Sequence, residues 1–159
     1  MKTQIVIPAR LASTRLPRKL LLNETGKTLL HHTHDAARRA RRPSGICVAT
    51  DHAEIAAEVQ RFGGTAVMTS AACASGTDRV AEVARQMPHI ELFVNVQGDE
   101  PELRGESIDL VVELLETHPD YMMSTLATPI RRRDQFEDPA CVKVVFAALD
   151  QSAQLGGRA

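Results

Sequence analysis

Apolar residues along this chain alternate between two periods. Short runs rich in β-branched residues predict strands over 3–7 (TQIVI), 46–50 (ICVAT), 65–69 (TAVMT) and 92–96 (LFVNV). Pro8 is expected to stop the first, and 92–96 carries the strongest buried-strand signal. Between these runs the period lengthens to that of a helix. Leu29, Thr33, Ala36, Ala37 and Ala40 form one stripe over 28–41, which Pro43 and Gly45 end. Asp51 followed by Glu54 resembles a capping box, and Ile55, Ala56, Val59 and Phe62 supply the apolar face behind it. Val80, Val83, Ala84 and Met87 recur at helical spacing before Pro88, as do Ile108, Val111, Val112 and Leu115 before His118-Pro119. Two further strands are predicted over 122–130 and 142–147, with a helical turn near Gln135 between them. Strand and helix alternate throughout, which predicts an α/β fold: a mostly parallel sheet, helices on both faces, and ligands at the carboxyl ends of the strands.

Composition narrows the function classes. The 159 residues fit one domain with a real core, and 43% apolar with 25% charged residues is ordinary for a globular protein. A formal net charge of -1 gives no global attraction to nucleic acid or to an anionic membrane, so neither is expected as a partner. Cys47, Cys73 and Cys141 are an odd number, far apart and without a CxxC pair, so neither a disulfide framework nor a thiolate zinc site is indicated. The apolar run before Arg10 is shorter than a signal peptide's, and no stretch is long enough to span a bilayer. A soluble protein of the reducing cytoplasm is expected.

Two familiar phosphate motifs fail. Gly26-Lys27-Thr28 looks like the end of a P-loop, but Leu21 stands where its first glycine belongs and no strand leads into it. A dinucleotide fingerprint needs GxGxxG straight after the first strand, yet Gly26 is the first glycine of the chain. The loop that does follow the first strand carries Arg10, Arg15, Arg18 and Lys19. Four cations there suit either a solvated surface loop or a triphosphate held by side chains. Asp99-Glu100-Pro101 closes the 92–96 strand, as an inert turn or as a place for Mg²⁺ bound by one carboxylate plus substrate phosphates. Ser75-Gly76-Thr77-Asp78-Arg79 opens a helix, where its hydroxyls and amides either cap the helix or hold a ligand. Thr50-Asp51 is read as a cap.

PARLASTRLPRKLL, ATD, SGTDRVAEV, VNVQGDEP and DPACVKVV, in this order and spacing, resemble the 3-deoxy-manno-octulosonate (Kdo) cytidylyltransferases, or CMP-Kdo synthetases, from residue 4 to about 146. The resemblance implies a Rossmann-like nucleotidyltransferase fold of the nucleotide-diphospho-sugar transferase type over residues 1–149, with a divergent tail over 150–159. It implies that Pro8, Ala9 and Arg10 approach CTP, that Arg15 and Lys19 hold its phosphates, and that Ser75, Gly76, Thr77 and Arg79 form a second nucleotide-side loop. Asp99 is the implied Mg²⁺ ligand and Gln97 a sugar contact, so the catalytic candidates are Arg15, Lys19 and Asp99. The implied reaction is cytidylyl transfer from CTP to Kdo, with release of pyrophosphate, for lipopolysaccharide assembly in a Gram-negative bacterium. An inactive CTP-binding fragment and a cytidylyltransferase for another sugar acid, such as sialic acid, are the alternatives.

The chain departs from the family pattern in two places. The family's first loop usually has glycine and then lysine-proline where this chain has Arg18 and Lys19-Leu20. Family members also continue into a segment carrying most sugar contacts, a second metal-binding aspartate and the homodimer interface, so this sequence reads as a shortened member with an exposed sheet edge. Other features are given structural readings. His31, His32 and His34 are expected on a solvated helix face, Arg38, Arg39, Arg41 and Arg42 near a helix C-terminus, and Met122 and Met123 in a strand core.

Overall fold

The computed structural model describes residues 1–11 and 16–145. Four parallel strands form one sheet: β1 (Thr3–Ala9), β2 (Gly45–Thr50), β3 (Ala66–Met68) and β4 (Leu92–Asn95), in the order β3-β2-β1-β4. The connections carry a 3₁₀ turn (Lys19–Leu21), α1 (Leu29–Ala37), α2 (Ala53–Arg61) and α3 (Gly76–Gln86), and α4 (Gly105–Thr117) follows β4. This is the mostly parallel α/β sheet that the alternating periods predict.

Period-two patterning sorts the strand residues between two cores. Ile5, Ile7, Ala9 and Val48 pack with Leu30, Ala37, Ile55, Val59 and Ile108, from α1, α2 and α4. Val6, Cys47 and Ala49 face the other way onto Val83 of α3. Helices therefore cover both faces. Each fully buried Val, Ile or Leu contributes about 1.5–3 kcal/mol of transfer free energy.

Pro8 does not stop β1, which runs on to Ala9 in register with Thr50. Val6 accepts from Val96 on the β4 side, so Pro8, two residues on, also turns its missing donor toward β4. The β4 ladder has ended by then, with Asn95 opposite Val6. No hydrogen bond is lost, and the proline is tolerated. β1 is also the most buried strand, whereas β4 is only half-buried because it lies at the edge of the described sheet. The apolar run over 92–96 signals strand formation, not central position.

Other expectations need correction. No strand forms over 122–130 or over the described residues 142–145. An apolar, β-branched segment makes a strand only where a neighbour takes its hydrogen bonds, and among the described residues nothing pairs with the outer edge of β4. Met122 and Met123 are accordingly 97% and 82% exposed instead of buried. The histidines of α1 do not share a solvated face. His34 is buried, and His31 stacks on Phe62 with ring centroids 4.5 Å apart, because this side of α1 packs against the end of α2. Of the arginines after α1, Arg42 is structural: it pairs with Glu113 at 3.0 Å and Glu116 at 2.6 Å on α4.

The chain divides into two compact units, Met1–Ser124 and Thr125–Ala159. Within the second, α5 (Arg133–Glu137) is stitched by an Arg133–Glu137 pair at 2.7 Å, and Lys143 Nζ donates to the Asp138 carbonyl. Residues 146–147 of the last expected strand and the tail over 150–159 lie outside the described residues. Among the described residues no helix is long and apolar enough to cross a membrane.

Candidate functional site

The chain leaves β1 toward β2 on one side and later returns to place β4 on the other. Strand order therefore reverses between β1 and β4, and the crevice beyond their carboxyl ends is where open α/β sheets bind ligands. Pro8-Ala9 ends one wall and Gln97-Gly98-Asp99 the other. The start of α3 meets them there: a Cβ on Gly76 would lie 3.2 Å from Pro8 Cγ and 3.8 Å from Gln97 Nε2. Pro8, Gly76 and Gln97, singled out from separate motifs, are thus neighbours.

Lys19 and Asp99 are brought together as well. Lys19 sits on the 3₁₀ turn, and its Nζ donates to Asp99 Oδ2. Both side chains keep part of their surface in solvent, 29% for Lys19 and 42% for Asp99. The turn is positioned by Leu20, which is buried in the main core, and a Cβ on Gly98 would lie 3.3 Å from both Leu20 Cδ1 and the Pro8 carbonyl oxygen. The backbones of the two loops meet closely at that point, leaving little room for a side chain. Arg18 adopts φ 57 and ψ 22, the left-handed region that glycine enters freely, and its Nη1 donates to Glu54 Oε1 at 3.4 Å. Hydrogen bonding to Arg18 holds the Glu54 carboxyl below the usual carboxylate range. Arg10 is exposed, while Ala9 is buried with its side chain in the main core. Arg15 lies outside the described residues.

The SGTDR loop commits Ser75, Asp78 and Arg79 to bonds within the protein. Ser75 caps α3: its Oγ accepts from the Asp78 amide at 3.1 Å, while the Asp78 carboxylate accepts from the Ser75 amide at 2.9 Å. Thr77 is exposed on the first turn. Arg79 is fully buried beneath the loop, with Nη1 donating to Thr69 Oγ1 and Nη2 3.3 Å from Asp51 Oδ2. Thr69 follows β3 and Asp51 follows β2, so one guanidinium ties two strand ends to α3. Asp51 is therefore not the cap of α2. His52 takes that place, with Nδ1 accepting from the Glu54 amide at 3.3 Å. Gly26-Lys27-Thr28 likewise serves α1, where Thr28 Oγ1 accepts from the His31 amide at 3.2 Å.

Among the described residues no three His, Cys, Asp or Glu side chains converge on a common point. A cation that demanded an all-protein cage would not fit. Mg²⁺ binds through one or two carboxylates and fills its shell with water and phosphate oxygens, and a half-exposed Asp99 at the crevice suits that habit. The sequence reading missed Thr33, Asp51, Thr69 and Leu20, which hold this site from below. Only their places relative to strand ends and helix faces would have flagged them.

Comparison with known proteins bears on these geometries. A family model described as Cytidylyltransferase matches residues 4–155. The chain is 51% identical over 146 residues to a 3-deoxy-manno-octulosonate cytidylyltransferase of Rhodopirellula baltica, covering 92% of this chain and 58% of that protein. A second such protein, numbered 2 in Actinobacillus pleuropneumoniae, is 46% identical over 147 residues, covering 91% and 58%. A solved structure of CMP:2-keto-3-deoxy-manno-octonic acid synthetase complexed with CTP superposes with a TM-score of 0.72 at 38% identity, covering 75% of this chain and 49% of that one. The chain thus spans little more than half the length of the relatives it matches.

Proposed function

The chain belongs to the cytidylyltransferase family, and from that premise we propose that its crevice between β1 and β4 binds CTP for transfer of a cytidylyl group to Kdo. The observation that carries the proposal is the opposed Lys19 and Asp99 at the strand-order reversal, each half-open to solvent. A cation and a carboxylate meeting at a substrate crevice suit a triphosphate and its accompanying divalent ion.

In this reading Lys19 and Arg15 bind the phosphates, Arg10 lies at the mouth, and the backbone of Pro8 and Ala9 borders the nucleotide. Ser75, Gly76 and Thr77 line the opposite side, with Arg79 holding that loop from below. Gln97 meets the sugar acid. Asp99 holds Mg²⁺, which when bound neutralises charge on the phosphates and the leaving pyrophosphate. The anomeric hydroxyl of Kdo attacks the α-phosphorus of CTP, its proton passes to solvent, and the bond to pyrophosphate breaks. Phosphoryl-type transfer depends mainly on positioning and fixed charge, and the crevice supplies Lys19 and close-packed loop backbones for both. Lipopolysaccharide assembly as the use of the product and a cytoplasmic location complete the proposal.

Pyrophosphate release from CTP, Kdo and Mg²⁺ tests it. Turnover with Kdo and none with sialic acid is the expected result; CTP binding without turnover assigns this chain a nucleotide-binding role only.

A further inference from the structure

Asp99 reaches the crevice from a tight turn whose hold on the core comes from an element that no site motif includes. The Glu100 amide donates to the Gln97 carbonyl at 3.3 Å, so Gly98 and Asp99 occupy the centre of that turn. Its middle peptide unit is formed by the Gly98 carbonyl and the Asp99 amide, and the plane of that unit sets the direction in which the Asp99 side chain leaves the backbone. A Cβ on Gly98 would come within 3.3 Å of Leu20 Cδ1 and the Pro8 carbonyl, so the turn is tightly packed there. The hydroxyl of Thr33, in the middle of α1 and fully buried, donates to the Gly98 carbonyl at 2.9 Å.

Thr33 Oγ1 has one proton and two acceptors within reach. The Leu29 carbonyl one turn back in its own helix lies at 3.2 Å. That is the bond a helical threonine makes by default. The shorter contact goes instead to a residue 65 positions away, and it satisfies a carbonyl that would otherwise face a buried site with no other donor to it among the bonds of this turn.

We propose that Thr33 is a positioning residue for Asp99: its hydroxyl fixes the Gly98–Asp99 peptide and so aims the Asp99 carboxylate at the place where the nucleotide's metal ion is held. This rests on the reading of Asp99 as the metal ligand. Hydrogen-bond partners behind a metal ligand typically matter by about 10–100-fold in metal affinity.

Thr33→Val keeps shape and removes the donor, Thr33→Ser keeps the donor, and Thr33→Ala serves as a second donor-free variant should the valine chain fold poorly. Two readouts are taken on the full chain. Hydrogen exchange of a peptide spanning residues 97–103, measured without ligand, is expected to quicken in Thr33→Val and Thr33→Ala and to match wild type in Thr33→Ser. CTP affinity measured with Mg²⁺ is expected to fall about 10–100-fold in the donor-free variants, with CTP affinity in EDTA unchanged. Exchange equal to wild type in both donor-free variants overturns the proposal, as does an equal loss of CTP affinity with and without Mg²⁺. A wild-type chain whose CTP affinity ignores Mg²⁺ overturns the metal reading of Asp99 instead, and the exchange result then decides whether Thr33 holds the turn.

Discussion

Two cation–carboxylate pairs stand at the strand ends of this sheet, and they differ in what surrounds them. Arg79 and Asp51 meet at 3.3 Å with the guanidinium 1% exposed, beneath the start of α3. Lys19 and Asp99 meet at the crevice with both side chains open to water. The buried guanidinium has already given up its hydration, and Asp51, 21% exposed, cannot leave without stranding it. A half-open pair loses little when its partners separate, so each is available to a charged ligand. The same chemistry thus serves as framework in one place and as a binding site in the other. The SGTDR loop borders the crevice, yet its arginine is spent on holding β2, β3 and α3 together.

The largest effect is expected from the framework pair. Asp51→Ala leaves the Arg79 guanidinium buried with Thr69 as its hydrogen-bond partner, and should cost about 3–5 kcal/mol, measured by denaturant unfolding. A loss near that expected for a surface pair would place Arg79 and Asp51 in the same class as Lys19 and Asp99. Lys19→Ala is expected to change stability little and CTP affinity by about tenfold or more, because charge-assisted bonds to phosphate contribute about 1.5–3 kcal/mol. Calorimetric titration beside a thermal melt separates the two effects.

Arg18 lies next to Lys19 but in the left-handed region. Arg18→Gly is expected to raise stability, by about 1 kcal/mol in a denaturant titration, since glycine adopts that backbone without strain. Destabilisation would mean that the bond to Glu54 outweighs the strain. His34 is a third case, a buried basic group whose two ring nitrogens have no hydrogen-bond partner. Burial first, then the Arg38 charge, lowers its pKa from the ordinary 6.5. The unfolded chain therefore takes up the proton more readily, so this contribution to stability is fully present above pH 6.5 and is lost as pH falls toward the lowered folded value. A His34→Leu chain should melt with less dependence on pH between about 5 and 7 than wild type.

Much of this arrangement was legible in the residues. In a parallel sheet the carboxyl ends of the strands gather on one side, so motifs that follow strands must meet, and Pro8, Lys19, Gly76, Gln97 and Asp99 do. What the sequence withholds is which polar groups are spent internally. Nothing local tells Arg79 from Arg10, since burial of the first depends on Asp51 and Thr69 arriving from two other strands. His34 was misread for the same reason: the face of α1 that packs on Phe62 is decided by α2. The segment over 122–130 is rich enough in apolar residues to suggest a strand, but its composition cannot report that no described neighbour pairs with it.

The most direct test of the central claim is a CTP titration of wild type and Asp99→Asn with and without Mg²⁺, each checked by a thermal melt. The half-open pair requires that Mg²⁺ tighten CTP binding in wild type, that this gain vanish in Asp99→Asn, and that the two chains melt within about 1 kcal/mol of each other in stability. An Asp99→Asn chain that keeps the full Mg²⁺ gain would contradict the account, because the carboxylate at the crevice would then have no part in holding the metal.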